Sequence, residues 1–439
     1  MKRNESMRPR DLYLRQLVAF QDTEQVKVIT GIRRCGKSSL LKLMQSHLLD
    51  SGIRKEQIVA MNFESMEYRS MDAMAFYNHV KGKVLPDCRM YLFFDELQRL
   101  DQWEDAVNSF RVDFDCDIYI TGSNAYLLSS EYSTYLAGRC VEIRMLPLSF
   151  KEFLEFHGYQ LRDRKTPLGD IKKCAYDSGG ENVPLEDLFE AYMRYGGMPG
   201  IADVGLEQDK ALAILDGIYS AIAFRDILDR EKRRGQRQIA DPVLLRKIVL
   251  FLADNIGNST SLNSISNTLV SEKLLKDRTR QGKPATQTIA AYVGALLESY
   301  MFYEIRRFDV KGKAELKTLG KYYIADTGLR NYLLGYRDVD TGHIIENIVY
   351  FELLRRGYDV AVGKIGDKEI DFIATRDDEK VYYQVTDDMT SESTRDRELA
   401  PLMAVRDHYE KRIIAMITNS RAPVEGIRIV RLIDFLLEQ

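Results

Sequence analysis

Nine residues near the N-terminus, Gly31-Ile32-Arg33-Arg34-Cys35-Gly36-Lys37-Ser38-Ser39, have the types and spacing to hold a triphosphate. They fit G-x-x-x-x-G-K-[ST], the pattern of a phosphate-binding loop. The glycines let backbone N–H groups turn inward around phosphate oxygens, and the start of a following helix adds partial positive charge. Lys37 can reach the β- and γ-phosphates, and Ser38 can offer its hydroxyl to Mg²⁺. A second group, Asp95-Glu96, follows the apolar run Met90-Tyr91-Leu92-Phe93-Phe94. Asp95 is placed to hold the metal through water, and Glu96 to polarise the water that attacks the γ-phosphate. Two acids here point to an ATPase with a carboxylate base, as opposed to a GTPase-like switch that orients water with Gln. The plainer alternatives are a structural glycine turn and a pair of helix-capping acids.

These groups need a scaffold. Val26–Thr30 reads as a short buried strand directly before the loop, and Leu40, Leu41, Leu43, Met44 and Leu48 recur at helical spacing after it. Strand, glycine loop and helix is the context the motif requires. Met90–Phe94 reads as another buried strand, and Asp117–Thr121 as a third that ends in Gly122-Ser123-Asn124.

Composition narrows the class. With 45% apolar and 29% charged residues over 439 positions, the chain is of globular type and long enough for two to four domains. No uncharged apolar run approaches the roughly 18–20 residues of a membrane span, and the charged start lacks the apolar stretch of a secretory signal. Cysteines 35, 88, 116, 140 and 174 are odd in number and form no CxxC, which excludes a disulfide scaffold and a zinc ribbon. A cytoplasmic protein with no membrane partner is the expectation. Charge segregates: residues 1–150 balance to 0, 151–240 to −2, 241–325 to +5 and 326–439 to −6. The basic segment is a candidate nucleic-acid footprint, with a solvated surface as the alternative.

The strings GIRRCGKSSLL, LFFDE, TGSN and LAGR, with LPLSFKEF from Leu146 and YGGMPG from Tyr195, resemble a prokaryotic ATPase family. It is the AAA+/STAND-like group with a C-terminal domain related to restriction endonucleases, and the resemblance covers nearly the whole chain. It implies ATP as the nucleotide and an α/β P-loop NTPase domain with an AAA+-type parallel sheet. A helical lid, a winged helix and an α/β restriction-endonuclease-like domain follow. It also implies a homo-oligomer. The sensor position beside the γ-phosphate falls to Asn124 or Ser123, with Asn124 preferred, although Thr121-Gly122-Ser123 also suits an ordinary capped turn. Arg139 becomes a candidate arginine finger, acting within the chain or from a neighbouring subunit.

The expected divisions are the ATPase domain (1–150), a loop-rich insertion and lid (151–240), a winged helix (241–325) and the nuclease-like domain (326–439). Arg225, Arg230, Lys232, Arg233, Arg234 and Arg237 form a basic cluster, read first as a solvated face. In the third division, two helices, a basic loop, a helix over 286–300 and two strands follow the order of a winged helix. Lys283, Gln287 and Thr288 would face a major groove of double-stranded DNA, with Lys311 and Lys313 on the wing; docking to a protein is the alternative. The last division needs an acid on a helix (Glu346), an acid on a strand (Asp371) and then E-x-K. Gln384-Val385-Thr386 stands there instead. A neutral amide and a hydroxyl hold Mg²⁺ poorly, so the fold is expected to serve binding or assembly, with a nuclease using Glu346 and Asp371 as a rival. A further rival is a slow ATPase whose bound nucleotide switches assembly.

Overall fold

The computed structural model describes residues 8–123, 138–165, 171–228, 239–271, 286–310, 312, 314–337, 340–418 and 422–438. Asn124, Lys283, Lys311, Lys313 and the basic residues between 230 and 237 lie outside them. The chain forms two compact units, residues 1–146 with 298–300, and residues 147–297 with 301–439.

Five strands build the first unit: β1 (Val26–Thr30), β2 (Ile58–Asn62), β3 (Met90–Asp95), β4 (Cys116–Thr121) and β5 (Cys140–Arg144). All pair in parallel, in the order β2-β3-β4-β1-β5. Every residue of β1 and β3 is buried, as the continuous apolar runs require of strands covered on both faces. The helices Lys37–Asp50, Ala73–Lys81 and Trp103–Asp113 belong to the same unit. Phe76 packs edge-on against Phe94 and Phe110, with ring centroids 4.8 and 5.1 Å apart. Pairing of Ile29 with Thr121 and of Phe94 with Ile120 brings the C-terminal ends of β1, β4 and β3 level. The loops that leave these ends therefore share one rim.

The second unit begins with a departure from expectation. The polar stretch after residue 150, read as loop, contains an antiparallel sheet of β6 (Gln160–Lys165), β7 (Ile171–Tyr176) and β8 (Asn182–Val183). Apart from a short row of Leu161, Ala175 and Val183 opposite one another on one face, its strands are mostly polar, so the alternation that betrays a half-buried strand is too brief to read. The helices Leu185–Tyr195 and Gln208–Ser220 follow, the latter running on as a π-helix over Ala221–Leu228.

Next come the helix Pro242–Asp254, β9 (Ser259–Thr260), the helices Leu262–Ser271 and Thr286–Glu298, β10 (Phe302–Asp309) and β11 (Ala314–Ile324). After the helices Thr327–Leu334 and Thr341–Arg355 come β12 (Asp359–Ile365), β13 (Lys368–Arg376) and β14 (Glu379–Asp388). The helix Glu392–Met403, β15 (Glu410–Ile417) and β16 (Arg428–Arg431) complete the order. One eight-stranded sheet, β16-β15-β14-β13-β12-β10-β11-β9, contains them all. The division expected at residue 325 thus falls inside a continuous sheet, where β10 pairs with β12 in parallel from Arg307 opposite Val362.

The YGGMPG loop is locked to the helix Thr327–Leu334. Gly197 N–H donates to Asp326 Oδ2 at 2.6 Å, Leu329 N–H donates to Asp326 Oδ1 at 3.0 Å, and Asn331 donates to the carbonyls of Met193 and Arg194. A Cβ on Gly328 would stand 2.1 Å from Tyr195 O, so only glycine fits. Burial pushes the Asp326 carboxyl up to about 6, against the opposing pull of those N–H donors. A carboxyl raised in the folded state contributes stability below its unfolded pKa, and that contribution disappears as pH rises through about 6. Asp326→Asn is expected to remove up to about 3 kcal/mol of this pH dependence between roughly pH 4 and 7. Urea midpoints of parent and variant across that range measure it.

Candidate functional site

The loop between β1 and the helix Lys37–Asp50 is built around residues that tolerate left-handed backbone. Gly31 has φ +138°, and a Cβ there would lie 2.1 Å from Met145 O; Gly36 has φ +108°. Arg34 takes φ +64° and is exposed, while Ile32 and Cys35 anchor the loop fully buried. No side chain caps the helix that Gly36 starts, so its first-turn amides are available to an anion. Lys37 is 5% exposed, and its ammonium donates to Gly31 O at 2.8 Å and Ile32 O at 3.1 Å. That cation is already threaded back over the cradle. Ser38 and Ser39 are exposed on the first helical turn.

Arg10, buried at 2% exposure, supports this loop from behind. It donates to Cys35 O at 3.0 Å and to Leu146 O at 2.9 Å. Arg33 pairs with Glu64 at 3.1 Å, and Arg99 joins the same carboxylate at 2.7 Å. Neither Arg10 nor Glu64 carries a local sequence signature; their place follows from chain segments meeting in the fold.

Two strands away from β1, about 10 Å across the sheet, β3 ends in the acid pair. Asp95 accepts Thr121 Oγ1–H at 2.5 Å and Asn62 Nδ2–H at 2.8 Å. Glu96 sits at φ +56°, which turns the chain sharply at the strand end. Its N–H donates to Thr121 Oγ1 at 3.0 Å, and its carboxylate accepts from Gln98 at 2.7 Å and from Ser123 at 3.5 Å. Thr121 thus links both acids to the tip of β4 through one hydroxyl. The fixed partners leave Asp95 and Glu96 held but not paired to a described cation. Ser123 lies 3% exposed against Glu96, and Asn124 is outside the described residues.

Arg139 occupies the other rim. Its carbonyl accepts Val26 N–H at 2.9 Å, at the first residue of β1, whereas the phosphate loop leaves the last. Five residues of strand, roughly 16 Å, separate them. Arg139 and the phosphate loop thus lie at opposite ends of β1.

In the second unit the structure gathers Glu346, Asp371 and Gln384 with a residue the sequence reading did not foresee. Lys321, on β11, lies 3.0 Å from Glu346 and 2.9 Å from Glu369. Burial alone would lower its ammonium, but Glu346, Asp371 and Glu369 outweigh that and hold it above the ordinary lysine value. Asp371 accepts Val385 N–H at 2.8 Å, and its own N–H donates to Gln384 Oε1 at 3.4 Å. Burial raises its carboxyl well above the usual carboxylate range, and the neighbouring Glu346 adds to the rise. Among the described residues no group of three His, Cys, Asp or Glu could hold a metal ion. Lys321 comes from a strand far away in sequence, which no local E-x-K spacing reveals.

On the helix Thr286–Glu298, Gln287 is exposed and Thr288 half-buried. Among the described residues no helix is long and apolar enough to cross a membrane.

Comparison with known proteins yields two family matches: an AAA domain over residues 23–154 and a domain of unknown function over residues 186–340. An uncharacterized protein of Haemophilus influenzae is 38% identical over 99% of this chain and 100% of its own length. An uncharacterized protein of Methanocaldococcus jannaschii is 29% identical over 76% of this chain and 67% of its own. Among solved structures, a Walker-type ATPase of Pyrococcus abyssi is 15% identical with a TM-score of 0.47, covering 75% of this chain and 97% of that one.

Proposed function

Because the chain belongs to the same family as the Haemophilus influenzae protein and carries an AAA domain at residues 23–154, we propose that it is an ATP-hydrolysing protein of AAA+ type. Its nucleotide state is coupled to engagement of double-stranded DNA or of a protein partner. The observation that carries the reading is the meeting, on one rim of a parallel sheet, of an uncapped helix start with buried Lys37 and the anchored acids Asp95 and Glu96.

The residues fit a triphosphate and its metal. Backbone amides of Gly31 through Ser39 would surround the phosphates, where the two glycines leave no Cβ in the way. Ser38 and Asp95 would hold Mg²⁺, which when bound neutralises charge on the β- and γ-oxygens. Lys37 would exchange a carbonyl partner for phosphate oxygen. Glu96, held by Gln98 and Ser123, would accept a proton from the attacking water. Asn124 would orient that water, and Arg139 would reach a neighbouring subunit's phosphates, which makes the active form a homo-oligomer. Five free cysteines suit a reducing cytoplasm.

For the second unit, the helix–strand–helix–helix–hairpin order from Pro242 to Ile324 supports a winged helix. The following helix, three-strand meander, helix and strand support a restriction-endonuclease-like fold. Its acids are neutralised internally by Lys321, which favours binding over cleavage. In this reading the last three segments of the sequence analysis stand as functional parts of the second unit. Calorimetry with ATP and Mg²⁺ tests the core of the proposal: the parent gives a binding isotherm, Lys37→Ala weakens it at least about 100-fold, and an unchanged isotherm in the variant refutes the assignment.

A further inference from the structure

The antiparallel ribbon of β6 and β7 has one face that carries three cations and no carboxylate of its own. In its register Gln160 stands opposite Tyr176, Arg162 opposite Cys174 and Arg164 opposite Lys172. Paired residues of an antiparallel ladder share a face, so Arg162, Arg164 and Lys172 project together beside Tyr176. All three cations are exposed, and the Arg162 guanidinium lies 4.9 Å from the Tyr176 ring. Like charges directly opposite one another destabilise a ladder, and Arg164 and Lys172 are such a pair. Among the described residues neither has a carboxylate within salt-bridge distance. The other face differs: there Asp163 meets Lys173 at 3.7 Å. Beside the ribbon lies a groove of about 600 Å³, walled by Arg164, Lys165, Lys172 and Lys173. The acid in that wall, Glu186, is joined to Arg431 at 2.8 Å, and the nearby Lys172 also favours its charged form.

We infer that the β6–β7 ribbon is a binding surface for the sugar-phosphate backbone of duplex DNA, through Arg162, Arg164 and Lys172. The inference rests on the DNA-engagement reading above and assigns it a site outside the winged helix. Three features favour DNA over an acidic protein. A two-stranded β-ribbon has the width that a major groove admits. Alternate residues of one strand are spaced by about 6.8 Å, the axial rise of two nucleotides on one DNA strand. Arginine forks match phosphate oxygens bidentately, and the Tyr176 hydroxyl offers a further donor at the ribbon's end.

The test is fluorescence anisotropy of the full-length protein with a short labelled duplex, titrated at several salt concentrations between about 50 and 200 mM. R162Q/R164Q/K172Q is compared with the parent and with the charge-preserving R162K/R164K/K172R. The neutral variant is expected to bind at least about tenfold more weakly, with a slope of log affinity against log salt smaller by about 2–3. The charge-preserving variant should retain most of the slope, ATP affinity should stay at the parent value in both, and the thermal midpoint should not fall in either, rising slightly in the neutral variant that relieves the Arg164–Lys172 repulsion. A parent that binds duplex while the neutral variant keeps the same slope overturns the ribbon assignment alone and leaves its charges as guards of an edge strand. A parent that fails to bind duplex at about 50 mM salt overturns both this inference and the DNA reading. Displacement by polyglutamate as effective as by unlabelled duplex makes the surface a general polyanion patch and also overturns it.

Discussion

Replacement of Glu96 by Gln is expected to leave ATP affinity within a few-fold of the parent while lowering steady-state hydrolysis by about 10²–10⁴-fold, the usual contribution of a positioned general base. The amide preserves the shape that Gln98 and Ser123 grip but has no lone pair basic enough to take a proton from water. Phosphate release under excess ATP and Mg²⁺, with a separate binding isotherm, distinguishes the two parameters. Equal turnover in parent and variant would remove Glu96 from the mechanism. A parent with slow turnover that Glu96→Gln does not slow further would instead favour the nucleotide-switch reading. Thr121 sharpens the argument, since its hydroxyl donates to the Asp95 carboxylate and accepts the backbone N–H of Glu96, which fixes where the Glu96 side chain leaves the strand. Loss of turnover on Glu96→Gln without loss of binding is the signature of a group that acts on the transition state and not on the ground state.

Lys321→Met should destabilise the second unit by about 3–5 kcal/mol, because it strips the cation from a buried acidic cluster and leaves the carboxylates uncompensated. Glu346 is 8% exposed and Asp371 is raised by burial and by Glu346. Without the ammonium, the Asp371 carboxyl rises further above its unfolded value. The contribution of Asp371 to stability is then present at low pH and lost as pH rises through its raised folded value. The deficit of the variant should therefore be smaller near pH 5 than near pH 8, which urea unfolding at the two pH values measures. Adding Glu346→Gln should recover part of the loss, since one uncompensated charge goes with it. Equal stability of parent and Lys321→Met at both pH values would mean that the cluster is more open to water than its burial indicates.

The phosphate loop and the acid pair were legible because each is local. Gly31 through Ser39 are contiguous, Asp95-Glu96 follow an unbroken apolar run, and parallel strands buried on both faces cannot hide their composition. The three helices and hairpin after residue 241 were legible for the same reason, from apolar period alone. What escaped was non-local or apolar-poor. Arg10 reaches Cys35 and Leu146 across the fold, Asn62 reaches Asp95 from the neighbouring strand, and Lys321 meets Glu346 and Glu369 from separate elements. The β6–β7 ribbon escaped because it buries little, so no periodic signal marked it. Glu346, Asp371 and Gln384 do converge, yet the cation they meet, Lys321, comes from β11, which spacing cannot disclose.

The pairing of β10 with β12 has a mechanical meaning. A pivot set at residue 325 would have to shear a run of inter-strand amide bonds between Arg307 and Lys364, and such ladders yield far less readily than a linker. The hairpin of β10 and β11 and the strands beyond it form one stiff plate. A load applied to either part is therefore shared by both.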